Sequence, residues 1–96
     1  MNRDRAVQQL RAVANELHGL GVEELSLFGS VARNEGGPAS DLDLMLVLSP
    51  GPFWGRYNKV LDLLESRLRT RIDLVPKADL KPQLRAQIEA EAIRVA

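Results

Sequence analysis

The sequence predicts an α/β or α+β domain built on one small mixed sheet, and three observations carry that expectation. Helical and extended patterns alternate as helix, strand, helix, strand, helix, strand, helix along 96 residues, a length that predicts a single domain over 1–96. The strand candidates are short and apolar, and 45% hydrophobic content is ordinary for a core of this size. There is no cysteine, so neither disulfides nor a zinc-thiolate site staples the fold.

Each element has its own local cause. Val7, Leu10, Val13, Ala14, Leu17 and Leu20 form a helical stripe, with Asn2 or Asp4 as N-cap, and Gly19 and Gly21 end it. Glu24 to Phe28 is a short strand running into Gly29-Ser30, and Val31-Ala32-Arg33 leaves room for one or two helical turns. Asn34 to Pro38 is a loop by composition. Asp41 to Leu48 alternates as a strand, with Asp41, Asp43, Met45 and Val47 on one face and Leu42, Leu44, Leu46 and Leu48 on the other. Pro50 and Pro52 break the chain, and Phe53, Tyr57, Val60, Leu61, Leu64 and Leu68 mark a long amphipathic helix with Pro52 suited to its first position. Ile72 to Val75 is a third strand closed by Pro76. Pro82 opens a last helix with Leu84, Ile88 and Ala92 four apart, and Ile93 and Val95 form a short extended tail. The sheet therefore has three strands, or four if the tail joins it.

Composition excludes several function classes. Thirteen basic and thirteen acidic side chains balance, which argues against holding nucleic acid or membrane by bulk electrostatics. No apolar run approaches the ~18 residues of a membrane span, and the reading is a cytoplasmic protein with no membrane association. There is no P-loop and no dinucleotide fingerprint. The one histidine, His18, lies off the apolar stripe with nothing to make it part of a triad, and a surface role is expected. Trp54 and Tyr57, three apart, suit packing better than base stacking. The charge is unevenly placed: residues 1–55 hold 4 basic and 7 acidic side chains, residues 56–96 hold 9 and 6. The basic stretch from Arg67 to Arg85 is either a solvated surface or a contact for triphosphate or an acidic partner.

The chemistry concentrates in carboxylates. Asp41 and Asp43, two apart on a strand, project from one face, where they either form a solvated strand end or repel until a cation sits between them. Asp73 lies inside an otherwise apolar strand, where a lone buried Asp is costly. It either pairs with Arg69 or Arg71 or, if the two strands are neighbours, joins the other two. Three converging carboxylates are the hard oxygen ligands that Mg²⁺ or Mn²⁺ takes together with substrate phosphates. Gly29-Ser30 is a common turn by itself, yet between a strand and a short helix it offers backbone N–H groups and a hydroxyl to a phosphate.

In sequence order these pieces read Gly29-Ser30, ten residues, Asp41-Leu42-Asp43, then Asp73 after the long helix. That string resembles the GSx10DxD signature of the nucleotidyltransferase superfamily with the DNA polymerase β fold. Within it, GSVARNEGGPASDLDL is similar to the GSxARGxxxxxSDxDL of minimal nucleotidyltransferases, and LDLLESRLRTRIDLV at 61–75 is similar to the family's helix and third-carboxylate strand. Asn34 stands where the family often has Gly; Asn tolerates the left-handed conformation, so the loop is expected to survive.

The resemblance implies a metal-dependent transferase with two Mg²⁺ or Mn²⁺ ions and ATP as substrate. Gly29 and Ser30 would grip the nucleotide phosphates, with Arg33 a further candidate that a salt bridge to Glu35 would equally explain. Asp41 and Asp43 would bind the metals. Asp73 would complete the metal site and help deprotonate the acceptor. The family also implies a partner: such domains are often antitoxins for HEPN toxins, with a toxin tyrosine as acceptor of AMP and no direct nucleic-acid binding. Two alternatives stand beside this, a non-catalytic module that neutralises its partner by occlusion and a small-molecule transferase of the aminoglycoside-modifying type.

Overall fold

Asn2 starts the fold as an N-cap: its Oδ1 accepts the Arg5 N–H at 2.8 Å and opens helix α1, Arg3–Ala12. The structure is a computed structural model and describes residues 1–37 and 39–96, so Pro38, at the end of the expected loop, lies outside the described residues. The single first helix expected from the apolar stripe is two. At Val13 the backbone leaves helical geometry (φ −105°, ψ 10°), its N–H reaches the Leu10 carbonyl at 3.1 Å, and α2 covers Ala14–Gly19. The bend keeps Leu10, Val13 and Leu17 all in the core.

Strand β1 spans Val22–Phe28, and one helical turn, α3, Gly29–Ala32, follows without a connecting residue. Strand β2 is Leu42–Leu48. Helix α4, Trp54–Leu68, begins later than expected: Phe53 is its N-cap, so Pro52 precedes the helix instead of opening it. Strand β3 is Ile72–Pro76, a 3₁₀ turn covers Lys77–Asp79, and α5 runs Pro82–Glu91 with Pro82 in its first turn. The extended tail is a fourth strand, β4, Ile93–Arg94.

The sheet order is β3-β2-β1-β4, with β2 and β3 parallel and the other pairs antiparallel. Register assigns the faces. Leu25 opposes Leu46, Leu27 opposes Leu44, and Leu44 opposes Leu74, so these leucines form one apolar face. Leu10 and Leu17 from the first two helices and Val60, Leu64 and Leu68 from α4 complete that core. Burying each such side chain contributes roughly 1.5–3 kcal/mol. On the opposite face Ser26 and Met45 are buried at its middle, while Phe28, Asp43 and Asp73 lie in one row across its end. Asp41, just before β2, lies at the same end.

Two expectations about helices need correction. Leu84, assigned to the apolar stripe of the last helix, is 46% exposed, and no residue of α5 is buried: the helix reaches α3 and β1 without a buried stripe of its own. Trp54 is 65% exposed and leans edge-on against Phe53 and Tyr57, while Tyr57 does pack against the core and donates its hydroxyl to the Leu74 carbonyl at 2.6 Å. His18 is exposed, as expected. Among the described residues no helix is long and apolar enough to cross a membrane.

Helix α4 ends on Arg69 in the left-handed conformation (φ 53°), a position glycine fills without steric cost. Arg69→Gly is expected to stabilise the fold by about 0.5–1 kcal/mol. Chemical denaturation checks this, and a loss of stability refutes it.

Candidate active site

The row at the sheet's end is built by register. Phe28 opposes Asp43 across the antiparallel pair, and Asp43 opposes Asp73 across the parallel pair, so the two carboxylates are cross-strand neighbours on one face. Asp43 is half-buried and its carboxyl is raised above the ordinary 3.8, first by burial, then by the charge of Asp73, a shared hydrogen bond with it, and the charge of Asp41; Arg33 opposes the shift. Asp73 is exposed, not buried as its apolar strand suggested, because β3 is an edge strand and this end of the face is open. Neither predicted partner pairs with it; Arg71 lies 3.7 Å from Asp41 instead, and Arg71 is itself 88% exposed, so that pair is weak.

The Gly29-Ser30 turn sits directly against this row. Gly29 has φ +78°, and a Cβ built on it would collide with the Asp43 carboxylate, so any other residue here would be strained and would have to push that carboxylate aside. Asn34 takes φ 62°, the left-handed geometry expected of it. Among the described residues the Ser30 hydroxyl has no protein hydrogen-bond partner. Arg33 does form the expected bridge to Glu35 at 3.3 Å, and it also makes one the sequence did not suggest, to both oxygens of Glu91 at 3.0 and 3.2 Å. Glu91 and then Glu35 bias the guanidinium further toward its charged form.

A divalent cation fits the donor set in part. Asp43 and Asp73 present hard oxygens to one another, and the mutual repulsion that raises the Asp43 carboxyl is the repulsion a cation relieves. Asp41 shares their end of the sheet but leans toward Arg71, and among the described residues no three acidic or histidine side chains are gathered closely enough to hold an ion.

Residues 7–95 match the family model described as nucleotidyltransferase domain. The chain belongs to that family. The nucleotidyltransferase domain seen here is 33% identical over 75 residues to MJ0128 of Methanocaldococcus jannaschii, which carries a protein adenylyltransferase name; the match covers 77% of this chain and 76% of that protein. It is 32% identical over 75 residues to the protein adenylyltransferase MntA of Thermococcus cleftensis, covering 78% and 76%. A solved structure described as a minimal nucleotidyltransferase superposes with TM-score 0.85 at 33% identity, over 97% of this chain and 95% of that one. At 17% identity the fold alone is shared with a chain from the complex of tri-AMPylated Shewanella oneidensis HEPN toxin and MNT antitoxin, with TM-score 0.64 over 94% and 71%. The protein is a nucleotidyltransferase with the minimal nucleotidyltransferase fold, a four-stranded mixed sheet packed by helices.

Proposed function

We propose that this nucleotidyltransferase transfers AMP from ATP to a tyrosine hydroxyl of a HEPN-type partner protein and acts as its antitoxin. The observation that carries the reading is the row Asp43–Asp73 set against a turn whose Gly29 lies in the left-handed region, directly against the Asp43 carboxylate. The relatives named as protein adenylyltransferases support the nucleotide and the class of acceptor, and the complex of MNT antitoxin with a tri-AMPylated HEPN toxin supports the partner.

In this reading Gly29 brings the turn close, and the Ser30 hydroxyl and Arg33 hold phosphate oxygens. Asp41, Asp43 and Asp73 would hold two Mg²⁺ or Mn²⁺ ions, with Asp41 leaving Arg71 to do so; such ions supply stabilisation of the attacking and leaving oxygens of an in-line displacement. In this reading Asp73 takes the proton of an acceptor hydroxyl arriving from solvent, and its exposure on the edge strand supports that role. The nucleotide's α-phosphorus gains the bond to the acceptor oxygen and loses the one to pyrophosphate. The whole domain, residues 1–96, would act in the cytoplasm beside its partner.

Incubation with ATP, Mg²⁺ and the protein encoded by the neighbouring gene is expected to add the mass of AMP to that protein. EDTA and the Asp41→Asn/Asp43→Asn variant are each expected to prevent it. A variant that silences the partner without any adduct in the wild-type reaction would instead establish occlusion.

A further inference from the structure

Glu91 belongs to no part of the signature, yet its carboxylate reaches the turn at both Gly29 and Arg33. Its side chain is 19% exposed, at the last position of α5, and Oε1 accepts the Gly29 N–H at 3.2 Å. The same carboxylate takes Arg33 Nη1 through both oxygens, at 3.2 and 3.0 Å. A carboxylate this enclosed is costly unless its lone pairs are satisfied, and here charge-assisted bonds satisfy them. The sheet dictates the meeting. Ile93 opposes Leu27 in the β4–β1 ladder, so continuing that antiparallel register by two residues sets Glu91 across from Gly29.

Those contacts sort the donors of the turn. The Gly29 N–H is already engaged, and Arg33 is held on two sides, Nε by Glu35 and Nη1 by Glu91. Nη2 of Arg33 and the Ser30 hydroxyl are the side-chain donors that, among the described residues, no protein acceptor takes. Resting on the reading of this turn as the nucleotide phosphate site, we infer that Glu91 is a positioning residue for the nucleotide: it fixes the Gly29 peptide and turns the Nη2 edge of Arg33 toward the phosphates. It touches no reacting atom. Gly29 then contributes its lack of a side chain, and Ser30 and Arg33 contribute the hydrogen bonds.

The test compares Glu91→Ala, Glu91→Gln and the wild-type protein for binding of a fluorescent ATP analogue with Mn²⁺, for KM and kcat of AMP transfer, and for Tm. Glu91→Ala is expected to raise the Kd and the KM for nucleotide about tenfold with a smaller effect on kcat, the loss of a charged hydrogen-bonding group. Glu91→Gln keeps an oxygen for the Gly29 N–H and is expected to recover to within about threefold of wild type. Unchanged nucleotide affinity in Glu91→Ala overturns the inference, and tighter affinity overturns it too, by showing that the carboxylate competes with phosphate. Equal losses in Ala and Gln variants that follow Tm reduce Glu91 to a structural tether. A wild-type protein that binds no nucleotide overturns the phosphate-site reading itself, and this inference with it.

Discussion

Asp43→Asn is expected to lower nucleotidyl transfer by a factor on the order of a thousand and to make the protein more stable. In the proposed reading the loss follows from removing one charged oxygen that would hold a metal ion, an effect of about 4 kcal/mol on the barrier. The gain follows from the geometry. Asp43 faces Asp73 directly, and relief of one like-charged cross-strand pair is worth about 0.5 kcal/mol, or roughly 2–4 °C in Tm for a domain of this size. The pH dependence has the matching sign. Because the folded carboxyl titrates above its ordinary value of 3.8, the protonated form is the one the fold favours. Its contribution is complete below the unfolded value and is lost as pH rises through the raised one. Wild-type stability should therefore climb on mild acidification in that window, relative to Asp43→Asn. Thermal melts across pH settle it; a variant less stable than wild type at neutral pH contradicts the account.

Gly29→Ala is expected to damage both fold and activity. The new methyl meets the Asp43 carboxylate while the residue is held at φ +78°, and backbone strain of that kind costs about 1–3 kcal/mol before the clash is counted. The row and the turn then separate, and a misplacement of about 1 Å is worth roughly a hundredfold in rate. A second substitution separates the two causes. Asp43→Gly in the Gly29→Ala background removes the clash and should restore part of the lost Tm while leaving transfer absent. A Gly29→Ala protein that melts with the wild type would mean the turn has another way to close.

The carboxylates and the turn were legible in the sequence because each is local. Spacing two puts Asp41 and Asp43 at one end of a strand, although β2 itself begins only at Leu42 and Asp41 leans toward Arg71, and Gly29-Ser30 after a strand marks a turn. The neighbourhood of Asp73 was legible only as a condition, that its strand lie beside the other, and the sheet order meets it. Its exposure was not, since Ile72-Asp73-Leu74-Val75 reads alike for a central strand and for an edge strand with one open face. Glu91 left no signal at all. Its partner lies 62 residues away, and the register that joins them passes through a two-residue strand whose pattern is too short to read. The break at Val13 was hidden for the opposite reason: the apolar stripe continues unbroken through it.

The order of strands also bears on when this site comes into being. Strand β1 pairs with β2 across a modest loop but with β4 only after the chain has closed a long one, and the Val95 N–H reaches the Leu25 carbonyl at 2.9 Å to complete that edge. Distant pairings are the slow part of folding, since the entropy of closing the loop is lost before any contact rewards it. The β4 pairing is also the one whose register sets Glu91 across from Gly29. If Glu91 positions Arg33 as proposed, a chain in which β4 has not docked would hold its aspartates and its turn but lack the contact that aims Arg33.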